Sequence, residues 1–348
     1  LFFSACSTKE VYEPLTLGKP WTTYEVTTSK IIDTTPSVAL LEDRTVLTKN
    51  GVINLDINAS NRVIAYTEGW VISGSIDGNL TLISENDANI TKNIDLKKTV
   101  ASATVQGNEL AVLFADNEIA IYDLESKSAL FKEQGSKFIA ADARIVSPLF
   151  LNGLVFFSTL DGKVIIVNDE LKKRLRTMIV SSEDNFNNII AMRFVENRLI
   201  AATSYELLAM AKKEIRAKYE IRNVIFDKNT IYVATKQGEI LSLTSNLEVN
   251  SKIKLPFAHF YGMVAKNGKL YILEKEGYMI VLDQESFEYT VHQFTLQSLR
   301  RGENSKIYND FMDSNHFTPS EISLSLDEAY IFVTDKEFYI NDKKIIIE

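Results

Sequence analysis

An apolar, β-branched or aromatic run, a short polar turn that often holds Gly or Asn, and a second apolar run recur along this chain, and no other feature limits its fold as strongly. Eight copies can be read: RTVLTKNGVINLD (44–56), WVISGSIDGNLTLIS (70–84), ELAVLFADNEIAIYD (109–123), LVFFSTLDGKVIIVND (154–169), RLIAATSYELLAMA (198–211), TIYVATKQGEILSLT (230–244), KLYILEKEGYMIVLD (269–283) and AYIFVTDKEFYINDKK (329–344). Each has the form of a β-hairpin. With Asn50, Asp77, Asp116, Asp161, Tyr205, Gln237, Glu276 and Lys336 as turn markers, the mean spacing is about forty residues, the period of a four-stranded propeller blade.

Weaker strands flank the hairpins, NITKNIDL and TVASATVQ between the second and third, NSKIKLPF and FYGMVAK between the sixth and seventh. Several hairpin strands are apolar at consecutive positions, as over Val164 to Val167 and Ile280 to Leu282, which fits strands covered on both faces. Blades packed face to face supply that double cover, whereas a single sandwich gives cleaner alternation with one wet face. The segment ELLAMAKKEIRAKYEI (206–221) has the composition of a helix, but it lies between a hairpin start and the next strand pair, so two strands are expected there. The C-terminal KKIIIE leaves a blade unfinished, and TTYEVTTSKIID (22–33) can add its outer strand. The expectation is an all-β propeller of about eight four-stranded blades over residues 22–348, closed by pairing of the N- and C-terminal strands. The first repeat step is only 27 residues, so seven blades is the alternative.

Apolar residues make up 45% and charged residues 24% of the chain, a balance that supports a packed core. The net charge is -8 and the basic residues are scattered, which argues against nucleic acid as a partner. No run of 18 apolar residues occurs, so a transmembrane helix is not expected within this sequence.

Cys6 is the single cysteine, so no internal disulfide framework can form. It sits in Leu1-Phe2-Phe3-Ser4-Ala5-Cys6-Ser7, where small residues precede the thiol and polar residues follow at once. This resembles the end of a lipoprotein signal peptide, with residues 1–5 as its remnant and Cys6 as the acyl acceptor. Residues 6–21, with Pro14, Gly18 and Pro20 and no sustained period, read as a lipidated tether. The Ser after the cysteine implies, by the same resemblance, the outer membrane on its periplasmic side.

The strand, G-turn and strand of IYVATKQGEILSLT resemble the blades of quinoprotein-like (PQQ-like) propellers, over roughly residues 40–348, in a form that WD-type repeats share. The blade-docking Trp of quinoprotein repeats is absent, since only Trp21 and Trp70 exist. With the lipoprotein-like start, the plan is similar to that of the propeller lipoproteins of the outer-membrane β-barrel assembly machinery. That resemblance implies a non-catalytic, cofactor-free envelope scaffold binding other envelope proteins. A quinone-dependent propeller enzyme, or a scaffold for another envelope machine, is the alternative.

Catalytic patterns are missing: no GxSxG, P-loop, GxGxxG or HExxH occurs, and His259, His292 and His316 have no partner at metal-ligand spacing. Asp310, Asp313 and Asn315 lie in the longest irregular stretch, 300–321, but do not match a calcium loop, and no metal is expected. Long loops on a rigid scaffold carry binding function. Two basic clusters, Lys172-Lys173-Arg174 with Arg176 and Lys212-Lys213 with Arg216, read first as charges that blunt strand edges. Because guanidinium groups pair bidentately with carboxylates, Arg174, Arg176, Arg300 and Arg301 are the candidate partner-binding residues. Phe311, Met312 and Phe317 are the apolar alternative.

Overall fold

A computed structural model describes residues 10–294, 326 and 329–348. Eight four-stranded antiparallel sheets form the blades of a propeller, and no helix occurs among the described residues. Blades 1 to 7 take residues 31–53, 62–95, 100–134, 149–179, 191–218, 221–254 and 260–293 in order, each running from its innermost strand outward. Blade 8 takes three strands from the C-terminal region, β30 (Ile331–Val333), β31 (Phe338–Ile340) and β32 (Lys343–Ile345), and its outermost strand is β1 (Tyr24–Val26). Tyr24 pairs with Ile345 and Val26 with Lys343, so the two chain regions close the ring as their sequence suggests. Segment 206–221 forms β20 (Glu206–Met210) and β21 (Glu214–Lys218) and enters β22 (Ile221–Asp227), so the sheet overrides the helical composition.

The core lies between blades. Buried apolar residues fall into eight clusters, and each spans two neighbouring blades around the full ring. β11 (Glu109–Phe114) shows why its sequence is apolar without a break: Leu110, Val112 and Phe114 face blade 2, while Ala111 and Leu113 face blade 4. Both sides of each middle strand are dry, so alternation disappears.

One hydrogen bond repeats in every blade. Within a blade the strands from the axis outward are termed A to D. The backbone N–H of a residue one to four positions beyond strand D donates to a carbonyl in the B–C turn of the same blade, at 2.7 to 3.2 Å. The pairs are Ile57 with Arg44, Leu96 with Gly78, Gly135 with Asn117, Val180 with Gly162, Tyr219 with Tyr205, Leu255 with Gly238, Phe294 with Gly277, and Thr27 with Asp342. Most of these acceptors have positive φ, which Gly adopts at no steric cost. The turn glycines of the sequence repeat therefore mark the staple joining strand D to the hairpin.

Two hairpins sit differently from their sequence reading. The middle pair of blade 1 is β3 (Val38–Leu41) with β4 (Val46–Thr48), so the turn at Asn50 joins β4 to the outer strand β5 (Gly51–Ile53). That displacement accounts for the short first step, and the count is eight blades. Residues 329–344 contain three strands instead of two, because Asn341, at a φ of 55°, turns the chain within two residues into β32.

Candidate protein-binding surface at the channel mouth

The B–C turns and D–A connections share one face, where the inner strands begin. On that face the D–A connection 135–148 reaches towards the axis. The side chain of Asn188, fully buried, accepts from the Asp142 N–H at 2.6 Å and donates to the Asp142 and Arg144 carbonyls at 3.2 and 3.1 Å. The connection is thereby fixed and Arg144 is presented rigidly. Its Nε donates to Asp142 Oδ1 at 2.8 Å, a second nitrogen bonds Asp142 Oδ2, and a third bonds the Arg222 carbonyl. Burial opposes ionisation of Asp142, but the bonds from Arg144 outweigh it and hold the carboxyl below its ordinary range.

Arg222 is the second residue of β22, at a β-bulge in the inner strand of blade 6. The equivalent bulges in blades 1, 2, 3 and 7 carry Ile32, Ile64, Ala101 and Tyr261, so Arg222 is the only cation in this set. Its Nε is buried without a hydrogen-bond partner among the described residues. Burial first, and then the neighbouring Arg144, depress its guanidinium pKa below the usual value. A half-buried cation on which another cation acts more strongly than the nearby Asp142 carboxylate is destabilising for the free protein and attractive to an external carboxylate.

Glu274 lies beside this face, at the end of β27 (Lys269–Glu274), and is fully buried. Its carboxyl accepts from the His259 and Glu276 N–H groups at 3.1 and 2.7 Å. Burial dominates these bonds and raises its pKa to about 7. The folded state therefore keeps a proton that the unfolded chain releases near pH 4.5, and stability falls as pH rises between those values. At about 1.4 kcal/mol per pH unit the loss is about 3 kcal/mol. Urea unfolding across pH 5 to 8 is expected to show this decline in the wild type, and Glu274→Ala is expected to flatten it.

The sequence-derived candidates lie elsewhere. Arg174 and Arg176 are on the outer strand of blade 4, β17 (Lys173–Ile179), both about half exposed. Arg174 pairs with Glu133 of blade 3 at 2.6 Å and Arg176 with Glu214 of blade 5 at 2.9 Å, so each ties its blade to a neighbour. Arg216 also bonds Glu214, at 3.1 Å. The structure does not bring these groups to the channel mouth. Cys6, Arg300, Arg301, Phe311, Met312, Phe317, Asp310, Asp313, Asn315 and His316 lie outside the described residues. Of the remaining histidines, His259 packs against Tyr261, and His292 Nδ1 meets the Lys19 carbonyl at 2.8 Å. Sequence reasoning missed Arg222, whose one signal is a lone cation in the inner strand IRNVIFD.

These features define an eight-bladed propeller of the BamB-like architecture with a charged mouth on its D–A face. BamB from Moraxella catarrhalis has the same fold, with a TM-score of 0.64 at 13% identity over 93% of this chain and 100% of that one. The computationally designed protein Ika8 matches with a TM-score of 0.60 at 13% identity, over 95% of this chain and 100% of its own. In sequence the chain is similar to the plasminogen-binding protein PgbB of two Helicobacter pylori strains, at 34% and 32% identity over 244 residues. That region is 65% of this chain and 45% of each relative, so the match spans less than half of the curated relatives' length. No protein-family profile matches the sequence.

Proposed function

We propose that this chain is a non-catalytic protein-binding scaffold of the bacterial envelope, lipid-anchored through Cys6 on the periplasmic side of the outer membrane, which engages partners on its D–A face. The observation that carries the reading is Arg222, a half-buried cation at the mouth of the ring whose Nε has no partner among the described residues. Because Asp142 is already bonded to Arg144, an acidic side chain of a partner supplies Arg222 with a carboxylate of its own, and charge-assisted pairs at desolvated positions make binding hot spots. The similarity to plasminogen-binding proteins makes plasminogen the first partner to try. The BamB-like fold makes components of outer-membrane barrel assembly the second.

Arg222→Met tests the site. Partner affinity measured by calorimetry is expected to fall at least tenfold, about 1.4 kcal/mol. The melting temperature is expected to hold or rise, since a buried unsatisfied donor costs about 1 to 3 kcal/mol. Unchanged affinity in a folded Arg222→Met protein rules the site out. The anchor has its own test: Cys6→Ala is expected to move the protein from the membrane to the soluble periplasmic fraction, and membrane retention of that variant counts against lipidation.

A further inference from the structure

The described part of the region expected to be a tether, residues 10–21, is attached to the propeller at Tyr12 and again from Gly18 to Trp21. Tyr12 is buried in the cluster between blades 6 and 7 and meets the Tyr278 ring edge-on, with centroids 5.8 Å apart. The strap then runs along the outer strand of blade 7, β29 (Tyr289–Gln293). The Gly18 and Trp21 N–H groups donate to the Val291 and Gln293 carbonyls, each at 2.8 Å, and Trp21 forms a parallel bridge with Phe294. A Cβ on Gly18 would stand 2.8 Å from the His292 ring, so the approach is close and specific. The strap nevertheless turns apolar side chains outward: Leu15 is 99% exposed, Leu17 52% and Val11 43%.

We propose that this strap is a bilayer-facing surface, and that the propeller stands on its blade 7 rim with both loop faces clear of the membrane. The inference rests on acylation of Cys6 as proposed above. From Cys6 to the fixed point at Tyr12 is six residues, at most about 20 Å of extended chain. An acylated Cys6 therefore holds the blade 7 rim against the headgroups, where the exposed Leu15 and Leu17 side chains gain by entering the interface. Blade 3, across the ring, points away from the membrane.

The lipidated full chain allows a direct test, because acylation consumes the only native thiol. Leu17→Cys and, on the connection after blade 3, Ile139→Cys are each labelled with bimane and reconstituted in phosphatidylethanolamine and phosphatidylglycerol vesicles carrying a headgroup nitroxide lipid. Acylation is checked by mass spectrometry. The proposal expects about twofold or stronger quenching at position 17 and almost none at 139. Equal quenching at both positions, or none at 17 in acylated protein, overturns the orientation and leaves the anchor standing. The second result would assign the exposed leucines to a protein partner. An unmodified Cys6 in membrane-bound protein overturns both.

Discussion

A chain that begins at Lys30 is expected to melt roughly 10 °C below the full chain and to aggregate on concentration. The truncation removes β1, which supplies the fourth strand of blade 8, and the strap that covers β29. Tyr12 is buried, and Trp21 and Tyr24 pack against the cluster between blades 7 and 8, so three aromatic contacts go together. At about 1.5 to 3 kcal/mol for a fully buried large side chain, and less for the two half-buried ones, the loss is about 5 kcal/mol. About 2 °C per kcal/mol converts this to the stated shift for a chain of this size. Aggregation follows because β32 becomes an open edge. Differential scanning calorimetry with light scattering measures both; a melting temperature within about 2 °C of the full chain and no scattering would show that the closure contributes little.

Gly238→Ala is expected to cost about 4 kcal/mol, against about 1 kcal/mol for Gly107→Ala, although both glycines have positive φ. At Gly238 the φ is +76° and an added Cβ falls 2.1 Å from the Leu255 carbonyl oxygen. That oxygen cannot move aside, because the Leu255 N–H is held by the Gly238 carbonyl at 2.7 Å in the staple that every blade repeats. The substitution therefore adds a backbone clash to the conformational strain. At Gly107 the φ is +60° and no atom of the described residues lies within 4 Å, so only the strain remains. Urea unfolding of the two variants separates these terms, and equal midpoints would mean that the staple yields easily.

The propeller was legible because its middle strands obey two constraints at once. β11 must be apolar on both faces, and its turn must reverse tightly, so the run and the punctuation both stand out. The sequence pattern places the blade 1 hairpin one strand too far along because its B–C turn, Glu42 to Thr45, has neither Gly nor Asn; Arg44 adopts a φ of 70° there. The louder Asn50-Gly51 signal belongs to the outer pair. The strap was invisible for another reason. Its attachment depends on backbone hydrogen bonds and one buried tyrosine, and neither leaves a period in the sequence.

Less of the proposed binding surface could be read. Arg174 and Arg176 attract notice because basic residues cluster around them, and the structure shows both on an outer strand, each paired with a carboxylate of a neighbouring blade. Arg222 is the one cation of its strand, and its meaning depends on three things absent from local sequence: the bulge, the ring axis and the approach of Arg144. The glutamate at 274 reads as an ordinary strand terminus until burial shows what its ionisation costs.

Cross-linking mass spectrometry in intact cells tests the central claim most directly. Lys98, Lys137 and Lys236 lie in turns and connections of the D–A face, whereas Lys127, Lys213 and Lys228 lie in turns of the opposite face. A protein-binding propeller that engages its partners through the channel mouth predicts links to other envelope proteins concentrated on the first three lysines and reduced by Arg222→Met. Links only within the chain, or links to partners concentrated on the second three and unaffected by that substitution, would contradict it.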